Sequence, residues 1–166
     1  RLPELRCSFL LADGARGTLR HGAAPSLPKR YIAAIDGIAI GPGAGACGTA
    51  AYRREAVFVA DAATDPLWAD FRDIATEFGI VSCWSTPILD ARGDVLGTLA
   101  LYGDEVALPA AAVLEVIDMA TQAAAIAIVR SREEAALLES RQRIDQIVSF
   151  LPDATVALDE RGHIIV

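Results

Sequence analysis

Hydrophobic and polar positions change period several times along this chain. Residues 5–12 alternate, with Cys7, Phe9 and Leu11 on one face and Arg6 and Ser8 on the other, the pattern of a half-buried strand. Asp13-Gly14-Ala15-Arg16-Gly17 is turn chemistry, and residues 18–22 are expected to return as a hairpin partner. Ser26-Leu27-Pro28 predicts a helix start, with a capping hydroxyl and Pro in the first turn. Tyr31 and Ile35, four apart, would face the core, and Asp36-Gly37 would end the helix. A loop with Gly41, Gly43 and Gly45 follows, then a short Ala-rich helix over 47–54 and a short strand over 57–59.

Asp65 before Pro66 announces the next helix, and Leu67, Phe71, Ile74, Ala75 and Phe78 form an apolar stripe at helical spacing. Asp70, Arg72, Asp73 and Glu77 take the outer side, and Gly79 suits the left-handed position past the end. The apolar runs 81–89 and 95–102, joined by Asp90-Ala91-Arg92-Gly93-Asp94, read as an antiparallel hairpin. In its first strand Cys83 and Ser85 point one way and Trp84 and Thr86 the other; Pro87 marks an edge or a bulge. From about residue 110 to 149 the period is helical. Val113, Ile117, Ala120, Ala124 and Ile128 suit packing on a sheet, and Leu137, Ile144 and Leu151, seven apart with Ile147 between, make a short seam broken by Ser140. The tail reads strand, turn, strand. Strands, short helices, a strand pair and a long exit helix together predict an α+β fold, a central antiparallel sheet with helices packed on it.

Composition narrows the function classes. Hydrophobic residues are 53% of 166, which supplies a sizeable core. A net charge of −7 argues against a nucleic-acid surface. No apolar run approaches the ~20 residues that span a bilayer, so no membrane contact is expected. Three cysteines, Cys7, Cys47 and Cys83, without framework spacing point to a reducing compartment and hence to the cytoplasm. The chain opens on Arg1 rather than Met, the expectation being a fragment of a longer protein.

The segments Gly45-Ala46-Cys47-Gly48-Thr49-Ala50-Ala51, 57–61, Ser85-Thr86-Pro87-Ile88 and Val95-Leu96-Gly97-Thr98-Leu99-Ala100-Leu101 in combination resemble the GAF domain of bacterial signalling proteins. Ala63-Thr64-Asp65-Pro66-Leu67-Trp68 and Cys83-Trp84-Ser85-Thr86-Pro87 are similar to GAF modules of multidomain sensors. The resemblance implies a sensory domain over 1–130, a helical signalling linker over 131–149, and dimerisation of two copies through the C-terminal helix. It also implies a separate output such as a diguanylate cyclase, a cyclic-di-GMP phosphodiesterase or a histidine kinase. Residues 150–166, with Leu151-Pro152-Asp153-Ala154 and 158–165, resemble the opening of a PAS domain.

Candidate ligand-binding residues are Tyr31, Cys47, Trp68, Phe71, Cys83 and Trp84, for a small-molecule or redox signal; no catalytic residue, metal site or particular cofactor is implied. The GAF architecture would bring Cys47 and Cys83 toward one pocket, where a redox pair competes with the plainer reading of two small buried residues. The aromatic candidates serve equally as core. The glycine loop before Cys47 has neither P-loop nor dinucleotide spacing and reads as a connector. His21 and His163 are the only histidines, so a metal or haem site would rest on one residue. Free methionine sulfoxide reductases, which are also GAF proteins, share a Gly-Xaa-Cys-Gly-Thr-Ala segment that Gly45 to Ala50 fits. Their catalytic cysteine stands in a His-Ile-Ala-Cys-Asp segment, and the corresponding residues 68–75 here contain none. A reductase is therefore the alternative reading, with a ligand-free dimerisation module, its pocket filled by Trp84 and neighbouring side chains, as a third.

Overall fold

The computed structural model describes residues 5–150, 158–161 and 163–164. Six strands form one curled antiparallel sheet: β1 Arg6–Asp13, β2 Thr18–Ala23, β3 Ile38–Ala39, β4 Val57–Val59, β5 Ser82–Leu89 and β6 Val95–Gly103. Their order is β3-β2-β1-β6-β5-β4. The helices are α1 Lys29–Ile35, α2 Gly45–Arg53, α3 Arg72–Glu77 and α4 Ala111–Phe150. The chain divides after Ile128 into two compact units.

In the first unit both faces of the sheet are covered. Leu10, Leu19, Tyr31, Ala50, Val59, Trp68, Cys83 and Tyr102 belong to one core, under α1, α2 and the segment 66–78. Trp84, Leu99, Val113 and Ile117 form a second core between the opposite face and the start of α4, with Cys7, Phe9 and Phe58 beside it. Period-two alternation assigns each strand residue to one core or the other. The expected polar side of β1 is therefore a core side: Ser8 and Leu10 are fully buried, whereas Cys7, Phe9 and Leu11 are half-buried. The Ser8 hydroxyl survives burial by hydrogen bonding the Tyr102 hydroxyl at 2.9 Å.

Several local expectations change in detail. Ser26 does not cap α1; its hydroxyl accepts from the Cys7 backbone N–H at 3.2 Å, and Pro28 occupies the cap position. Asp65 caps as read, accepting from Leu67 N–H at 2.8 Å, but the helix it starts is a 3-10 turn over Pro66–Phe71 before α3. Trp68 is buried in addition to the expected stripe, of which Ala75 is buried and Leu67, Phe71, Ile74 and Phe78 pack half-buried against the same core. Pro87 lies where β5 has run past the three-residue β4, and pairs with Thr98 of β6 on its other side.

Helix α4 contains a stretch long and apolar enough to cross a membrane by length and composition alone, unlike the sequence reading. Val113, Ile117 and Thr121 of that stretch are buried on the sheet. In the second unit, from Val129 on, the helix carries Arg130–Glu134 and Arg143–Glu139 ion pairs one turn apart. Leu137, Ile144 and Ile147 stand exposed there. Past the helix, Leu158 and Ile164 form an isolated antiparallel bridge around a turn held by Asp159. The rest of the expected PAS opening, including Leu151-Pro152-Asp153-Ala154, falls on residues outside the described set.

Candidate functional site

The site begins at the first turn of α2. Gly45 takes a left-handed φ of +61°, which turns the chain from the glycine loop into the helix, and its open side meets the Phe71 ring. Cys47 is thereby the third residue of α2, where free N–H groups and the helix dipole favour negative charge. Gly48 has no room for a side chain: a Cβ would lie 2.2 Å from the Ala39 carbonyl oxygen. This absence lets α2 settle against β3 and the sheet.

Beneath Cys47 lie residues from three strands. The register aligns Cys83 with Tyr102 and with Val59, and Ser85 with Ala100, which in turn pairs with Ser8. Cys47, Cys83 and Tyr102 line one cavity, and Ser85, two residues on from Cys83, shares its side of β5. The Cys83 contact, then Ser85, Thr98 and Tyr102, draw the Cys47 thiol down to about 7 against the opposing effect of burial. Cys83 moves the other way, raised by burial and then by the Cys47 beside it. The two shifts run in opposite directions, so of the two sulfurs Cys47 is the one whose thiolate the surroundings favour. Burial also raises Tyr31 and Tyr102, which stay neutral donors.

Above the thiols is a cavity of about 20 Å³, enough for one water-sized molecule. Its lining includes Tyr31, Cys47, Trp68, Phe71, Cys83 and Tyr102. Tyr31 meets Tyr102 edge to face at 5.5 Å, and Trp68 meets Phe71 likewise at 6.2 Å. The Trp68 indole N–H is buried without an acceptor, and the hydroxyls of Thr49, Ser85 and Thr98 are buried without a hydrogen-bond partner. Of these groups Trp68 alone lines the cavity, so its indole N–H is the unmet donor there.

Five of the six residues singled out from sequence therefore share one site, and Trp84 does not. Trp84 follows Cys83 on β5, so the pleat sends it to the opposite face. There it packs with Val113 and Ile117, and its Nε1–H donates to the Ala107 carbonyl at 3.0 Å. It neither lines nor fills the cavity, which Tyr31, Trp68, Phe71 and Tyr102 narrow instead. Tyr102, Ser8, Ser85 and Thr98 were missed as site residues, though strand alternation from Cys83 already placed Ser85 on its side. His21 is exposed and its backbone N–H is held by Asp36 at 2.7 Å; among the described residues no cluster of three metal-ligating side chains occurs.

A family model for the GAF domain matches residues 4–128. The chain is 36% identical over 151 residues to the "Methyl sulfide methyltransferase-associated sensor" of Methanosarcina acetivorans, an alignment over 91% of this chain and 15% of that protein. The chain thus spans about a seventh of that relative's length. A domain ascribed to a two-component sensor histidine kinase of Sinorhizobium meliloti 1021 superposes with TM-score 0.64 at 26% identity, over 79% of this chain and 82% of that one. A type II free methionine-R-sulfoxide reductase of Thermoplasma acidophilum shares the fold at TM-score 0.58 and 16% identity, over 74% and 77% of the two chains. The family match over most of the chain and the shared six-stranded fold place this chain in the GAF domain family, and its sensor-named relative supports a sensory module.

Proposed function

We propose that this domain senses thiol redox state through Cys47 and Cys83, and passes the change to α4. The carrying observation is that Cys47 of α2 and Cys83 of β5, both buried, line one small cavity. A disulfide there would draw the first turn of α2 toward β5. Trp84, the next residue along β5, holds the segment leading into α4 through Ala107, whose N–H also binds the Ala60 carbonyl at 3.2 Å. A shift of β5 would so be felt where α4 begins, in the manner of two-state packing switches.

The output enzyme would lie outside this chain; the Sinorhizobium relative favours a histidine kinase over a diguanylate cyclase or phosphodiesterase. Two copies would pair through the exposed Leu137, Ile144 and Ile147 seam of the helix, and the tail would open a PAS domain. Removing residues after Ile128 should abolish association measured by light scattering; unchanged association would sink the dimer reading.

The redox test is mass spectrometry of reduced protein before and after treatment with hydrogen peroxide, an oxidant small enough to approach buried thiols. A two-dalton loss mapped to a Cys47–Cys83 linkage is expected, and two persisting free thiols would refute the reading. The second reading, a bound small molecule, draws on the unpartnered Trp68 N–H. Anything larger than a water-sized molecule would need the cavity to open. Native mass spectrometry of untreated protein tests it: a retained molecule lost in Trp68→Phe supports it, and none retained counts against it. The reductase alternative shares the GAF framework and the Gly45 to Ala50 segment, but residues 68–75 offer no cysteine.

A further inference from the structure

We propose that Phe71 and Ile38 are the two leaves of a gate over the thiol cavity, and that the Phe71 ring sets the size of what reaches Cys47 and Cys83. The proposal deepens the redox reading above and rests on it for the purpose of the gate. Of the side chains that line the cavity, Ile38 and Phe71 alone are half-buried; Leu10, Tyr31, Trp68, Cys83 and Tyr102 are among those shut off from solvent. The solvent side of the cavity is therefore theirs. Both converge on Gly45, which also lines it: a Cβ there would stand 3.3 Å from Phe71 Cε2 and 3.5 Å from Ile38 Cδ1. With a left-handed φ and no side chain, Gly45 lets both tips lie close over the first turn of α2.

Each leaf hangs on a lightly held element. Ile38 belongs to β3, two residues long at the edge of the sheet and paired only with Leu19 and Thr18 of β2. Phe71 ends the 3-10 turn and precedes α3, with φ −116° and ψ 3° at the joint between two helical pitches. A small dihedral change at that joint carries the ring off Gly45. Trp68, on the same segment and edge to face with the ring at 6.2 Å, is buried and would keep the inner wall of the cavity in place. Closed, the cavity holds about 20 Å³, a water-sized molecule. Anything larger reaches the thiols only when the ring moves, so its rate follows the population of the open form.

The test follows labelling of the reduced protein by N-ethylmaleimide, which is larger than the closed cavity, with each cysteine read by peptide mass spectrometry. Labelling reports opening whether or not a disulfide can form. Phe71→Ala should speed labelling of Cys47 and Cys83 about tenfold or more, with Cys7, which packs on the opposite core, unchanged. Phe71→Leu, which keeps apolar packing, is the second variant should the first not fold, and should speed labelling in the same direction. Ile74→Ala is the control: Ile74 packs half-buried against the same core from α3 without lining the cavity, so both rates should stay as in the parent. Unchanged labelling of Cys47 and Cys83 in the Phe71 variants, equal acceleration in Ile74→Ala, or equal acceleration of Cys7 each overturns the gate. Faster labelling in the Phe71 variants with no disulfide from hydrogen peroxide supports the gate and removes the redox reading. A peroxide disulfide with labelling unmoved removes the gate and leaves that reading standing.

Discussion

Gly48→Ala sets two effects against each other and lets the structure decide. Alanine in a helix interior is favoured over glycine by about 1 kcal/mol, so sequence propensity alone predicts stabilisation. The structure predicts the reverse. A Cβ at position 48 would stand 2.2 Å from the Ala39 carbonyl oxygen and 2.6 Å from the Ala44 Cβ, one a backbone atom of β3 and the other at the start of the same helix. Neither is a flexible side-chain end that can swing aside. Restoring ordinary contact would move α2 by about 1 Å, and overpacking of this kind costs about 1–3 kcal/mol. The shift would also strain the bonds from Gly48 N–H to Ala44 O at 3.1 Å and from Gly41 N–H to Gly48 O at 3.3 Å. With the clash at the upper end and the propensity gain subtracted, net destabilisation of about 2 kcal/mol is expected. In urea that is a midpoint lower by about 1 M at unchanged slope. Gly14→Ala is the control: nothing lies within 4 Å of its Cβ and its φ is not positive, so a change within about 0.5 kcal/mol is expected. A Gly48→Ala midpoint equal to or above the parent's would refute the close seating of α2 on β3, and with it the apposition of Cys47 to Cys83.

Cys83→Ala removes the largest influence holding Cys47 low, so the thiolate absorbance near 240 nm, half-developed at about pH 7 in the parent, should move to higher pH. An unchanged midpoint would dissociate the two sulfurs. The depressed Cys47 value implies a stability contribution present above the unfolded thiol's range and lost as pH falls through about 7. Cys83, being raised, contributes stability below the unfolded range that disappears once pH climbs through its own higher value. Urea midpoints of parent and Cys47→Ala across pH 6–9 should therefore draw together toward the acid end, and a constant gap would contradict the shift. Trp84→Phe leaves the Ala107 carbonyl without its donor and should cost about 1–2 kcal/mol in thermal unfolding, with the Cys47 midpoint unmoved. Arg6→Leu deletes charged donors to the Phe78 and Gly79 carbonyls at 2.7 and 2.6 Å, which close the end of α3, and should cost about 1–3 kcal/mol; a neutral result would mean that water replaces them.

The sequence disclosed elements wherever one local rule dominated. Asp65-Pro66 marked a helix start because a carboxylate and a fixed φ act within two residues. Tyr31 and Ile35 declared a buried face by their spacing. The hairpin of β5 and β6 was visible in two apolar runs and a turn, and alternation along β5 correctly parted Cys83 from Trp84. Ser8 was misread because a lone serine in a strand looks solvent-facing until Tyr102, far along the chain, supplies its hydrogen bond. β3 escaped notice because two residues carry no period, and the 3-10 turn did so because its stripe resembles an α-helix over so short a span.

By itself, then, the sequence determined the class of fold, the family resemblance and five of the side chains that meet in the cavity. Tertiary structure decided what those side chains face. A bulge between Ile88 and Leu89 shifts the β5–β6 register by one residue, so Cys83 opposes Tyr102; counted straight from the turn it would oppose Leu101. Because side chains alternate every residue, that single step exchanges a phenol for a leucine beside the thiols. The same pleat put Trp84 on the far face against α4, where it links the thiol site to the exit helix. Register and the stacking of helices on either face are set by contacts between residues remote in the chain, and no local pattern encodes them.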